Sequence, residues 1–265
     1  MPAAKKGDCI GMPQEQHRAT ARVLDILEQL SVKREGLTLT ELSHTLNAPK
    51  SSLFPIVHTL EERHYLHQNE GTGRYSIGSS CWVLGAAFAA DGGLEPIVEV
   101  MKKIVEQCQE TCQMGRLDGG DVLYMEKEDS PQAIRMISQV GNRLHANATA
   151  IGKALLSGLT DEELRILYAG GLPRLTENTV TDMDTLLAQL AEVRAGGIAT
   201  EREESTPQLA CWAVPLRRRD KVFAALSVSV PLFRCSPEKV DLVCRCLREA
   251  QAEIERLEGI WAFKL

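Results

Sequence analysis

This chain of 265 residues is short of several things, and each shortage excludes something. Aromatics make up only 5% of it, so any core must lean on Leu, Val, Ile and Ala. No apolar run reaches the roughly 18 residues that a spanning helix needs, which excludes a membrane helix. Positive charge is in deficit: 30 Lys and Arg stand against 36 Asp and Glu, a net charge of −6. A protein that coats nucleic acid through bulk charge is therefore excluded. The eight cysteines (9, 81, 108, 112, 211, 235, 244 and 246) contain no CxxC pair and no zinc-type ligand spacing. They are expected to be reduced thiols, mostly buried, in a cytoplasmic protein.

What is present is ordinary globular material, 44% hydrophobic and 25% charged, at a length that suits two domains. The opening "MPAAKKGDCIGMPQEQ" has two lysines but no apolar stretch behind them. It reads as a short disordered tail over residues 1–16 and not as a secretory signal. Residues 1–80 carry nine Lys and Arg against nine Asp and Glu, so the whole net charge lies after residue 80. Five of the six histidines lie in that neutral part. A neutral module can bind DNA only if its charges are arranged locally.

Hydrophobic periodicity predicts a helix over 18–33, with Val23, Ile26, Leu27 and Leu30 on one face and Gly36 ending it. Thr38 followed by Glu41 makes a capping box for a second helix, with Leu42 and Leu46 facing inward. "AP" at 48–49 turns the chain into "KSSLFPIVHTLEERHYL". "YLHQ" and "RYSI" then alternate apolar and polar around "NEGTG", a hairpin. Two helices, a turn, a helix and a hairpin over 17–78 make the pattern of a winged helix-turn-helix. Residues 79–93 predict an apolar linker helix closed by Gly92 and Gly93, too apolar to stand alone in water. From Leu94 to residue 265 the pattern is α+β. A helix precedes strands at "CQMGRLD", "DVLYMEK" and "AIRMISQV". The small-residue turn "NATAIGKALLSGL" enters a helix. Thr160 caps the next helix, and another follows over "TDMDTLLAQLAEVRAGG". Strands "GIATEREE", "LACWAVPL" and "KVFAALSVSV" come before a long last helix, with Ser236 at its cap and Pro237 at its first position.

The stretches "LTLTELSHTLNAPKSSLFPIVHTLEERHYL", "ATAIGKALLSGL", "LPRLTENTVTDMDTLLAQLAEVRAGGIATEREE" and "ALSVSVP" closely resemble the IclR family of bacterial transcriptional regulators, in the family's own order over about residues 17–258. The resemblance implies an α+β chain of two domains. These are an N-terminal winged helix-turn-helix and a C-terminal GAF-like effector-binding domain, joined by a linker helix used in dimerisation. It implies a ligand-responsive DNA-binding regulator, a repressor of a catabolic operon. Such a protein binds double-stranded operator DNA as a homodimer or tetramer and senses a small carboxylate or sugar acid. It needs no cofactor, no metal and no membrane.

Pro55 departs from that pattern, where the family commonly has Arg. Inside a helix a proline lacks its N–H and clashes with the carbonyl four residues back, costing about 3 kcal/mol. A start with Ser52 as the N-cap would put Pro55 in the first turn, where no N–H is needed, so that start, or else a kink at 55, is expected. Lys50, Ser51 and Ser52, with Thr40 and Arg74 on the wing, are the expected phosphate contacts. Base reading falls to His58, or to Phe54 against thymine methyls, with Arg63 a further DNA candidate.

For the effector, Ala150, Ile151 and Gly152 offer helix-start N–H groups and small side chains to an anion. Glu201 corresponds to a pocket Asp of the family and Cys211 to a pocket Cys. Ser227 and Ser229 alternate onto one strand face, as pocket hydroxyls should. Asn147 stands where the family usually has His, and Gln208 where it usually has Gly. Trp212 should point away from Cys211 by strand alternation.

Three rivals remain. One is a GAF-domain enzyme using Cys211, against which no motif pairs a nucleophile with a base. Another is a thiol redox switch through Cys244 and Cys246, or through Cys108 and Cys112, read as lying four apart on one helix. The third is an interaction protein that has lost DNA reading.

Overall fold

The structure is a computed structural model that describes residues 17–33, 35–90, 94–136 and 138–261. The proposed N-terminal tail lies outside the described residues. The chain divides into two units, residues 1–88 and 89–265.

In the first unit, apolar residues at helical spacing fold inward. The helices are α1 (Arg18–Val32), α2 (Leu39–Thr45) and α3 (Lys50–Glu62). They bury Ile26, Leu30, Leu42, Leu53, Val57 and Leu60 together with Leu66 and Tyr75. Strands β2 (Leu66–Gln68) and β3 (Arg74–Ile77) form the hairpin that the alternation predicts. A two-residue strand, β1 (Leu37–Thr38), pairs with β3 and is too short to show in the pattern. Gly36 has φ +71°, and a Cβ there would sit 2.4 Å from the Tyr75 carbonyl oxygen, so glycine is required. The capping box forms as expected. The Thr38 hydroxyl accepts from the Glu41 N–H (3.2 Å), and Glu41 accepts from the Thr38 N–H (2.7 Å). These bonds to Thr38, with Arg74 nearby, hold the Glu41 carboxyl below its ordinary pKa. The apolar stretch after the hairpin is helical, α4 (Ser79–Ala90), and Trp82, Val83 and Leu84 on it are exposed within the chain.

The expected late start of α3 is wrong. The helix begins at Lys50 with Pro49 as its N-cap and runs through Pro55. The N–H groups of Ser52 and Leu53 both donate to the Pro49 carbonyl, so helical bonding is already in place before Ser52. The Ser52 hydroxyl also turns back to the Pro49 carbonyl (2.7 Å) and caps nothing. Burial of Leu53, Val57 and Leu60 on one face fixes the helix there. Pro55 and Ser51 lie on the exposed face, where water replaces the hydrogen bond that proline cannot make.

In the second unit, six antiparallel strands lie in the order β6-β5-β4-β9-β8-β7. They are β4 (Thr111–Asp118), β5 (Asp121–Glu128), β6 (Arg143–His145), β7 (Ala199–Arg202), β8 (Leu209–Arg218) and β9 (Lys221–Pro231). One face carries α5 (Glu95–Cys108) and α9 (Pro237–Trp261) over an apolar layer that includes Met114, Val214, Leu226 and Val228. The other carries α6 (Ala150–Leu156), α7 (Asp161–Leu167) and α8 (Met183–Arg194), which bury Leu155, Leu164 and Leu190. Trp212 packs on the α5/α9 side and Cys211 on the α6 side, as alternation requires.

Two expectations need correction here. "AIRMISQV" is not a strand: its described residues are bends and coil, Ile134 and Val140 are exposed, and Ile137 lies outside the described residues. The strand beside β5 is instead Arg143–His145. The chain rejoins β5 only where Gly141 and Asn142 bond Tyr124, so the outer edge of β5 beyond Tyr124 carries no strand among the described residues and the alternation at 133–140 goes unused. Cys108 and Cys112 do not share a helix either. α5 ends at Cys108 because Gln109 turns left-handed (φ 59°), and Cys112 lies on β4. Among the described residues no helix is long and apolar enough to cross a membrane.

Replacing Pro55 by alanine restores the N–H to the Ser51 carbonyl. Proline sits about 3 kcal/mol above alanine inside a helix, offset by roughly 0.4–1 kcal/mol of unfolded-chain entropy. Pro55→Ala is expected to stabilise the first unit by about 2 kcal/mol, read as slower amide hydrogen exchange at Val57–Leu60. Unchanged exchange would mean the proline carries no cost at this exposed position.

Candidate functional site

On α3 the residues that do not enter the core share the outward face. Lys50, Ser51, Ser52, Phe54 and His58 are exposed, as are Thr40 on α2 and Arg63 at the C-cap. Phe54 is 54% exposed, so it is neither core nor staple, and its ring stands 6.0 Å from that of His58. A helix start with an ammonium and two hydroxyls, followed by an apolar ring and an imidazole, is equipped for phosphates first and base edges next. Arg74 is different. Its guanidinium donates to the Gly36 carbonyl (2.7 Å) and to Glu41 (3.0 Å), so it braces the wing against α2.

The second candidate site is a polar cluster on the α6 face of the sheet. Register places it: Glu201 lies opposite Cys211, Cys211 opposite Ser229, and Ser227 opposite Gln113. The hydrogen bonds then run across strands. The Cys211 thiol donates to the Ser229 hydroxyl (3.3 Å), and Ser229 and Ser227 donate to Gln113 Oε1 (3.1 and 3.4 Å). Gln113 Nε2 faces the Met136 sulfur at 3.6 Å. Glu201 accepts from the backbone N–H groups of Glu204 (2.9 Å) and Ser205 (3.4 Å). Burial pushes the Glu201 carboxyl above its ordinary pKa, while the Cys211 thiol and the two N–H groups pull it partly back. Burial, with Glu201 beside it, drives the Cys211 thiol well above its ordinary value. Cys211 is therefore a neutral thiol at physiological pH, unsuited to nucleophilic work.

Helix α6 starts where the sequence places it, but for a reason that differs in part. Gly152 is needed because a Cβ there would lie 2.2 Å from the Ala146 carbonyl oxygen, in the turn of 3-10 helix at Ala146–Ala148. Its N–H is not free for a ligand as expected: it donates to the hydroxyl of the N-cap, Thr149 (3.1 Å). Ala150 and Ile151 are buried beside it. Asn147 donates through Nδ2 to the carbonyls of Pro173 (2.9 Å) and Val180 (3.1 Å), and its buried Oδ1 has no hydrogen-bond partner among the described residues. Gln208 takes φ +63°, which explains a glycine preference there. Glu203 Oε1 accepts its N–H (2.8 Å).

Sequence reasoning missed Lys153, Glu204 and Gln113. Lys153 is 1% exposed and ion-paired to Glu204 at 2.5 Å, with the Thr200 carbonyl at 3.3 Å. The pair ties α6 to the turn after β7. "IGKALL" and "ATEREE" both contain the partners, but only the fold brings residues 153 and 204 together. Among the described residues no group of three His, Cys, Asp or Glu is placed to hold a metal.

Breaking a buried pair leaves a buried charge alone, which costs roughly 3–5 kcal/mol. Lys153→Met is expected to lower the stability of the second unit by about that much, measured by urea unfolding. The double change Lys153→Met, Glu204→Leu should recover most of the loss. Equal losses in the two proteins would show that packing, not charge, sets the cost.

Comparison with known proteins follows the same two units. The family profile for the "IclR helix-turn-helix domain" matches residues 19–70, and that for "Bacterial transcriptional regulator IclR C-terminal" matches residues 95–256. The chain is 32% identical over 240 residues to the HTH-type transcriptional regulator BhcR of Paracoccus denitrificans, covering 89% of this chain and 86% of that one. It is also 32% identical over 241 residues to KdgR of Escherichia coli, covering 90% and 91%. Among solved structures, an IclR-type regulator from Alicyclobacillus acidocaldarius superposes with a TM-score of 0.81 at 25% identity, covering 91% of this chain and 98% of that one. An IclR homologue from Microbacterium hydrocarbonoxydans, solved with 4-hydroxybenzoate, does so with a TM-score of 0.77 at 26% identity, covering 90% and 98%. With one profile spanning more than half of its length and the other lying on the helix-turn-helix, this chain belongs to the IclR family of bacterial transcriptional regulators, ligand-responsive DNA-binding proteins and not enzymes.

Proposed function

We propose that this regulator is a repressor of a catabolic operon, acting in the cytoplasm on double-stranded operator DNA and released or recruited by a small carboxylate or sugar acid. The observation that carries the effector half is the cross-strand polar chain of Glu201, Cys211, Ser229, Gln113 and Ser227 on a sheet face otherwise lined by apolar side chains. Hydroxyls and a carboxamide buried together in a small-residue surround suit a polar ligand better than core packing alone. The relative solved with 4-hydroxybenzoate supports a carboxylate, and a relative named as an acetate operon repressor supports repression. For DNA, Lys50, Ser51 and Ser52 meet phosphates, and Phe54 and His58 meet bases. Thr40 and Arg63 add contacts at the flanks, and Arg74 acts through the wing it braces. Pro55 replaces a long polar side chain by an apolar ring, which shifts sequence preference rather than removing binding. The exposed Trp82, Val83 and Leu84 on α4 support a homodimer or tetramer joined there.

The thiol-switch rival has no support from the buried pair. Burial lifts Cys108 to about 11 and Cys112 well above its ordinary value, so neither offers a thiolate to oxidant at neutral pH.

Fluorescence anisotropy of the full chain on DNA from upstream of its own gene, against scrambled DNA over a salt series, tests the DNA half. Tighter binding to the upstream DNA with a steep salt slope is expected, and Lys50→Ala should lower that slope by about one. Equal weak binding to both DNAs, followed by failure of a wider genomic selection, would reject operator binding.

A further inference from the structure

The segment between β5 and β6, residues 129–142, lies beside the polar cluster. Both of its ends are fixed. Ser130 is buried; its hydroxyl donates to the Gln109 carbonyl (2.7 Å) and its N–H to the Thr111 hydroxyl (3.2 Å). At the far end, Gly141 N–H donates to the Tyr124 carbonyl (2.8 Å), and Tyr124 N–H to the Asn142 carbonyl (3.0 Å). In the middle, Met136 packs against the apolar layer that contains Cys211 and Tyr124, with its sulfur on Gln113. Two residues before it, the Ile134 side chain is 65% exposed, so it does not anchor the segment by burial.

The tie is made to the Ile134 backbone. Arg234, in the short turn after β9, places Nη1 2.9 Å from the Ile134 carbonyl oxygen. Its other side is clamped: Nε and Nη2 each lie 2.7 Å from a different oxygen of Glu110, which is 1% exposed. The Phe233 ring lies 5.0 Å beneath the guanidinium. A planar fork held at two donors has its third donor aimed in one direction. A lysine can neutralise Glu110, as Lys239 already approaches it at 3.6 Å, but cannot present that fork.

We propose that Arg234 is a positioning residue for the effector site: clamped by Glu110, it holds the segment down through the Ile134 carbonyl so that Met136 closes the site at Gln113. This rests on the effector reading above. Ser229, a member of the polar chain, lies five residues upstream of Arg234 on the same strand and turn, so the site and its latch share one element. Ligand entry then requires release of the Ile134 contact and not disruption of the sheet.

The test uses the full chain and reads iodoacetamide labelling of individual cysteines by peptide mapping, which reports transient opening because a buried neutral thiol reacts only once water reaches it, together with hydrogen exchange over 132–136. Arg234→Lys keeps a charge for Glu110 and should preserve folding. It is expected to speed Cys211 labelling at least fivefold and raise exchange in the segment. Cys108 and Cys112, on the opposite side of the sheet, should keep their wild-type rates. Met136→Ala, which leaves Glu110 paired, should also speed Cys211 labelling. Unchanged Cys211 labelling in both variants would overturn the proposal, and so would equal acceleration at all three cysteines, which reports general loosening. Pyruvate, gluconate and 4-hydroxybenzoate, each in excess over wild type, probe the ligand separately, and slower Cys211 labelling is expected with at least one. If none slows it while Arg234→Lys still speeds it, the effector reading is what fails.

Discussion

The second unit depends on strand alternation held in register. β8 pairs with β7 and β9, and β9 with β4, so that one parity of residues faces α5 and α9 and the other faces α6. A slip of one residue would move Cys211, Ser227 and Ser229 into the wholly apolar layer and bring Trp212 and Val228 out of it. That exchange loses apolar burial and leaves hydroxyls without partners. The same register sets Glu201 beside Cys211 and Cys211 beside Ser229, so packing and the candidate site have one origin.

Electrostatics then decides what the polar face can do. Charged groups here are buried with partners: Lys153 with Glu204, Glu110 with Arg234. Glu201 is held by backbone N–H groups and a thiol. Burial raises its carboxyl, and burial beside Glu201 raises the Cys211 thiol, because desolvation disfavours the charged form of each. Such a cluster is suited to hydrogen bonding and not to nucleophilic chemistry.

In the first unit the deciding factor is exposure. A proline inside α3 is tolerable because it faces water, while Leu53, Val57 and Leu60 secure the opposite face. The face that gives up a backbone bond also carries Lys50, Ser51, Ser52, Phe54 and His58. An exposed helix face has no core contacts to lose, so it is where sequence can change at least cost to the fold.

The sequence by itself determined the elements whose signals are local. The capping boxes at Thr38 and Thr160, the core faces of α1 and α2, and the alternation that sends Ser227 and Ser229 one way and Trp212 the other are all set by neighbours a few residues apart. Tertiary structure decided what local rules cannot reach. Burial of three side chains overrode the proline in setting where α3 starts. The described residues of the alternating stretch 133–140 stay out of the sheet although β5 leaves an outer edge without a strand beyond Tyr124. Pairing of Lys153 with Glu204, of Gln113 with two serines, and of Arg234 with Ile134 and Glu110 joins residues from 51 to 124 positions apart. Contacts of that kind leave no periodic trace in a sequence, because they exist only once the sheet has brought distant strands to within hydrogen-bonding distance.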